Sequence, residues 1–204
     1  MGRKDIKSPA VFLDRDGALI FDKNYLKSPE QVKLYSHTAN AINKLRKAGF
    51  KIIVITNQSG IARGKFTLND LTAVHKRFLS LLKERGAKID GLYFCPHIDE
   101  DKCVCRKPKT GMVLQAAKEF NLDLKKSYTA GDSVRDYLTG FNMGGKGILL
   151  LTGHGKRQQK LVKEQTIKPL SICRNILTAA NFIIKNSGIL KQKLPLKYKK
   201  TCGK

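Results

Sequence analysis

The chain of 204 residues carries 40 Lys and Arg against 16 Asp and Glu, a net charge of +24. A 41% hydrophobic content excludes disorder throughout, while the absence of any apolar run near ~18 residues excludes a membrane-spanning helix. With no signal-peptide pattern at residues 1–13, a soluble cytoplasmic protein is expected, and nothing in the sequence marks an interface, so a monomer is expected as well.

In chain order, residues 10–13, 52–55, 91–94, 127–130 and 147–151 form short apolar or β-branched runs separated by helical patterns. They read as buried strands of a parallel sheet. Ala39, Ile42 and Leu45 mark a helix stopped by Gly49, and Leu71, Val74, Phe78, Leu81 and Leu82 mark another ending at Gly86. Thr67 with Asp70 reads as the capping box of that second helix. Residues 171–186, with Ile172, Ile176, Leu177, Ala180, Ile183 and Ile184 on one stripe, predict a further helix. Half of the charge excess falls in residues 153–204, where Glu164 is the sole acid, and the chain ends in a lysine-rich run. The expected layout is one α/β domain over residues 1–186 followed by a basic tail over 187–204.

Alternating strands and helices predict a Rossmann-like parallel sheet of about five strands covered by helices on both faces. Its ligand site belongs at the carboxyl ends of the strands. Every polar cluster falls there: Asp14, Arg15, Asp16 and Gly17 after the first strand, Thr56 to Gly60 after the second, Cys95 to His97 after the third, and Gly131 to Ser133 after the fourth.

Asp14 and Asp16 lie two residues apart, and carboxylates so close repel unless a cation or a proton separates them. The same residues also suit a plain strand-end turn, with Gly17 supplying a positive φ. Asp132 adds a third carboxylate, giving the oxygen-rich set that Mg²⁺ prefers. Thr56 brings a hydroxyl, Asn57 and Gln58 bring backbone N–H groups at a loop start, and Lys107 brings a fixed positive charge; together these suit a phosphoryl group. Cys95, His97, Cys103 and Cys105 fall within eleven positions and suit a tetrahedral structural Zn²⁺. Such a closed site would pin a loop and set Arg106 and Lys107, which follow the last ligand, over the pocket. Cys173 and Cys202 are expected bystanders.

Residues 12–17, Thr56 with Asn57, Lys107, and Gly131 and Asp132 with Asp136 together resemble, in order, the four motifs of the haloacid dehalogenase-like phosphohydrolases. More narrowly, residues 56–64 and the Cys95-Pro96-His97 and Cys103-Val104-Cys105-Arg106-Lys107-Pro108 segments resemble the branch that acts on heptose 1,7-bisphosphate. The resemblance implies a Mg²⁺-dependent phosphatase that removes the 7-phosphate of a phosphorylated sugar on the route to the nucleotide-activated heptose of lipopolysaccharide.

It implies that Asp14 attacks phosphorus and that Asp16 acts as acid and then base. Mg²⁺ would be held by the Asp14 and Asp132 side chains and the Asp16 carbonyl. Thr56 and Lys107 would steady the transferring oxygens, while Asp22, Tyr25, Asn57, Gln58, Ser59 and Arg106 would contact substrate. Asp136 is open between a partner of the metal site and a helix-start Asp.

The interval from Asp16 to Thr56 leaves no room for a cap domain, so a capless site covered by the zinc loop is expected. Two departures stand out: Ser133 sits where the heptose branch commonly carries a basic residue, and Ala18 replaces a common Thr. Histidinol-phosphate phosphatases share the catalytic motifs and a short His97-to-Cys103 loop, while Arg63, Gly64 and Tyr25 favour the heptose branch. A nucleic-acid 3′-phosphatase or binding protein would exploit the +24 charge. Trp is absent, however, and platforms for base stacking are not evident.

Overall fold

The structure, a computed structural model, describes residues 7–188. The expected basic tail, with Cys202, lies outside the described residues except for its first two positions. Six strands, β1 (Ala10–Leu13), β2 (Lys51–Asn57), β3 (Gly91–Cys95), β4 (Tyr128–Gly131), β5 (Lys146–Leu150) and β6 (Ser171–Cys173), form one parallel sheet ordered β3-β2-β1-β4-β5-β6. Helices α1 (Thr38–Lys47), α2 (Leu68–Glu84), α3 (Gly111–Phe120), α4 (Val134–Asn142), α5 (Gly155–Val162) and α6 (Ile176–Asn186) accompany it.

The sheet therefore has six strands, not about five. Residues 171–173, expected to open a helix, instead pair parallel to β5, Leu149 beside Ile172 and Leu150 beside Cys173. The helix starts three residues later because Asn175 caps it: its side chain accepts from the Thr178 N–H while the Thr178 hydroxyl accepts from the Asn175 N–H. The capping box expected at Thr67 and Asp70 is present at the start of α2.

Strand alternation divides the core. On β1, Val11 and Leu13 face one side, where Ile42 and Leu45 of α1, Val74 and Phe78 of α2, and Ile176, Ala180 and Ile183 of α6 close over the sheet. Ala10 and Phe12 face the other, against Met112, Val113 and Ala116 of α3. With both faces covered, the carboxyl edge is left to carry polar loops. The order of strands reverses direction between β1 and β4, where a crevice opens at that edge.

No cap domain is inserted after β1. Residues 14–37 are a loop held by isolated bridges of Asp16 to Ile20 and Ile20 to Leu34, and by one 3-10 turn, Pro29–Gln31.

Candidate active site

The crevice is a cleft of about 540 Å³ lined by the segments that follow five of the strands, β1 to β5. Asp14 follows β1 directly, its N–H donating to the Ala130 carbonyl of β4 at 3.0 Å, so the pairing of the two central strands sets its position. Its Oδ1 accepts from the Arg15 N–H at 2.8 Å and meets Lys107 Nζ at 2.9 Å. Among the described residues its Oδ2 has no hydrogen bond and is free to meet an incoming group.

Asp132, after β4, is wedged between two glycines. A Cβ on Gly17 (φ 73°) or on Gly153 (φ 51°) would stand 2.1 Å from its Oδ2, so at both positions glycine serves the close approach as well as the left-handed backbone. The His154 N–H donates to the same oxygen at 2.7 Å.

Asp14, Asp132 and Asp136 place oxygens within 4.8 Å of one another. Lys107, 3% exposed, answers with Nζ at 2.9 Å from Asp14 and 2.6 Å from Asp136. Burial, followed by the neighbouring carboxylates, raises Asp14 to about 7 against the Lys107 charge, and burial with Asp14 and Asp136 raises Asp132 to about 8. Burial alone would lower the Lys107 ammonium, but Asp136 and Asp14 outweigh it and the group is held firmly charged. Three carboxylates facing one ammonium leave a charge that a divalent cation would balance, and all the donors are the hard oxygens Mg²⁺ prefers. Asp136 serves the helix-start reading, closing the α4 capping box with Ser133 through Oδ2, and also grips Lys107 through Oδ1.

Asp16 lies beside these groups on the cleft wall. Arg15, whose side chain is 0% exposed, holds its carboxylate in a fork at 2.9 to 3.1 Å. Gln58 Nε2 donates to Asp16 Oδ2 at 2.8 Å. The second strand's residues behave differently from one another. Thr56, 1% exposed, does not line the cleft; its hydroxyl lies 3.4 Å from Asp16 Oδ2 and accepts from Gln58 Nε2. Gln58 faces the cleft by its side chain, because its N–H is already donated to the Cys95 carbonyl at 2.7 Å. Asn57 lines the cleft but spends its amide on the backbone of Lys107, accepting at 3.1 Å and donating at 3.2 Å. Ser59, Asp22 and Tyr25 line the cleft, Asp22 paired with His154 Nε2 at 2.8 Å.

Cys95, His97, Cys103 and Cys105 converge with S···S and S···N separations of 3.1 to 3.7 Å. A tetrahedron of Zn–S bonds near 2.3 Å has edges of about 3.8 Å, so the set needs only a small expansion to hold the ion. Burial and neighbouring thiols raise Cys95, whereas backbone and thiol hydrogen bonds overcome burial to lower Cys103 to about 7. From the last ligand the chain runs directly into Arg106 and Lys107. Arg106 does not reach freely into the cleft: its Nε and Nη2 bind Asp99 at 2.8 and 3.4 Å, and its Nη1 donates to the His97 carbonyl at 3.1 Å.

Sequence reasoning missed Arg135, Arg157 and His154, all of which line the cleft, and Asp99, which ties Arg135 to Arg106. His154 and Arg157 follow β5, so the carboxyl-edge rule that found the other clusters was also the signal for these. Nothing in the sequence marked Asp99.

The polynucleotide kinase 3 phosphatase family model matches residues 10–164. D-glycero-beta-D-manno-heptose-1,7-bisphosphate 7-phosphatase of Helicobacter pylori strain J99 is 43% identical over 144 residues, 70% of this chain and 83% of that protein. The enzyme of the same name from Neisseria meningitidis serogroup A is 40% identical over 148 residues, 72% of this chain and 79% of its own. The crystal structure of D,D-heptose 1,7-bisphosphate phosphatase from B. bronchiseptica, complexed with magnesium and phosphate, superposes with a TM-score of 0.78 at 30% identity, covering 87% of this chain and 98% of that one. That from Burkholderia thailandensis gives 0.65 at 28% identity over 86% and 98%. By these matches and by the fold they share with it, the chain belongs to the haloacid dehalogenase-like phosphatases, in the branch of the heptose 1,7-bisphosphate 7-phosphatases.

Proposed function

We propose that this chain hydrolyses the 7-phosphate of D-glycero-D-manno-heptose 1,7-bisphosphate through an aspartyl-phosphate on Asp14. The observation that carries the reading is Asp14 itself: fixed by β4 and by Lys107 through one oxygen, it keeps the other without a partner among the described residues, at the crevice of a fold shared with enzymes of that name.

Asp14 Oδ2 would form a bond to phosphorus as the bond to the sugar oxygen breaks, and Asp16 would give that oxygen its proton. Asp16, now a base, would take a proton from water, which attacks the same phosphorus and frees phosphate and Asp14. Gln58 and Arg15 hold Asp16 in place for both steps, and Lys107 offsets charge on the transferring oxygens. Mg²⁺, held by the Asp14 and Asp132 side chains with the Asp16 carbonyl and with Asp136 behind, would neutralise the phosphate so that an anionic nucleophile can approach. Zn²⁺ at Cys95, His97, Cys103 and Cys105 would brace the loop that carries Lys107. Thiols kept free for a metal suit the reducing cytoplasm.

The test is phosphate release with Mg²⁺ from both anomers of the heptose bisphosphate, beside histidinol phosphate and a 3′-phosphorylated oligonucleotide. The oligonucleotide is included because the matching family model is that of polynucleotide kinase 3 phosphatase. A preference for the heptose of a hundredfold or more, about 2.7 kcal/mol, is expected, with no turnover by Asp14→Asn. Preference for either other substrate keeps the chemistry and overturns the substrate; turnover by Asp14→Asn overturns the covalent route.

A further inference from the structure

A bisphosphate brings two dianionic groups into one cleft, and the machinery around Asp14 accounts for only one of them. The second requires a cation with donors to spare. Arg106 has few: its side chain is 9% exposed, and three of its nitrogens are committed to Asp99 and to the His97 carbonyl. It is a strut for the loop between β3 and α3.

Arg135, at the start of α4, is different. Its side chain is 46% exposed, lines the cleft, and makes a single side-chain bond among the described residues, Nη2 to Asp99 Oδ2 at 3.0 Å. A guanidinium offers five donors in a fork that matches a phosphate, so most of this one is available. Asp99 is shared by two guanidiniums, which leaves net positive charge at that end of the cleft. Arg157, on α5, lines the same cleft, and α5 is tied to the start of α4 by the bond from the Val134 N–H to Gln158 Oε1 at 3.2 Å.

We propose that Arg135, held by Asp99 and flanked by Arg157, is the specificity-determining residue that binds the substrate's second, non-reacting phosphate. It supplies the cation that Ser133 does not. Ser133 is occupied in capping α4, its hydroxyl accepting from the Arg135 N–H at 3.0 Å, and the positive charge is displaced two positions onward. The bond to Asp99 already restrains the guanidinium at the cleft wall, so that less side-chain freedom is lost when phosphate binds.

This inference rests on the proposed bisphosphate substrate, and the experiment separates the two. kcat and KM are measured for heptose 1,7-bisphosphate and for heptose 7-phosphate with the wild-type chain, Arg135→Gln and Arg135→Lys. The wild-type chain should prefer the bisphosphate. Arg135→Gln should lower the ratio of the two kcat/KM values tenfold or more, about 1.4 kcal/mol, chiefly through KM for the bisphosphate, and Arg135→Lys should recover part of it. Were Arg135 only a tie between α4 and the zinc loop, Arg135→Gln would lower activity on both substrates alike and leave the ratio unchanged, which overturns the subsite while the substrate reading stands. A wild-type chain indifferent to the second phosphate overturns both.

Discussion

Asp14 and Asp132 are raised to about 7 and about 8 by burial, with the neighbouring carboxylates adding to it. In the unfolded chain the same groups titrate near the ordinary aspartate value of 3.8. Between pH 4 and 8 the metal-free native state therefore binds more protons than the unfolded one, and its stability falls as the pH rises through that window. A divalent cation bound among these oxygens removes the repulsion but must displace the protons first. The stabilisation given by Mg²⁺ should thus grow from pH 6 to pH 8. Thermal unfolding with Mg²⁺ and with chelator at each pH checks this, every kcal/mol of difference moving the midpoint by about 2–4 °C for a chain of this size; an equal shift at every pH would contradict it. At this scale the sequence showed which residues meet but not how they are spent. Asp14, Asp132 and Lys107 were legible because each stands at a strand end, whereas the diversion of the Gln58 N–H to Cys95, of Asn57 to the Lys107 backbone and of Arg106 to Asp99 depends on contacts made by residues far apart in the chain.

The segment between β3 and α3 has almost no secondary structure, yet it delivers Lys107 to Asp14 and Asp136. Of its four metal-type ligands, Cys95 is anchored in β3 and the others lie in the loop, so the cluster sets the loop's shape from the sheet outward. Removing zinc, by chelation or by Cys105→Ser, should lower kcat by about 10- to 100-fold, the cost typical of losing the groups that orient a site, while the requirement for Mg²⁺ persists. Metal content by atomic spectroscopy alongside the phosphate assay tests this, and full activity in a zinc-free preparation would leave the cluster without a part in positioning Lys107. Elements with strong periodicity, β1 to β5 with α1 and α2, were readable before the fold was known. The short edge strand β6 was not, because its three residues continue the apolar stripe of α6; only the Asn175 and Thr178 box separates the two.

Acids and bases are distributed unevenly over the whole molecule. Many of the 16 acids have local duties: Asp14, Asp16, Asp132 and Asp136 in the cleft, Asp99 between two arginines, and Asp90 against Arg46 and Lys51. The other ten fall far short of offsetting 40 basic side chains, so the outer surface repels itself while the cleft holds a concentrated negative charge beside Lys107. The two fields differ in their sensitivity to salt. Surface repulsion is long-ranged and screened, whereas the buried contacts of Lys107 with Asp14 and Asp136 are short and shielded from solvent. Raising NaCl from about 10 mM to about 150 mM shortens the screening length from about 30 to about 8 Å. That change should raise the thermal midpoint, because relief of self-repulsion outweighs the loss of exposed ion pairs worth about 0–1 kcal/mol each. Calorimetry at fixed pH decides it. A midpoint that fell with salt would mean that exposed pairs such as Arg77 with Glu84 contribute more to the fold than the +24 charge takes from it.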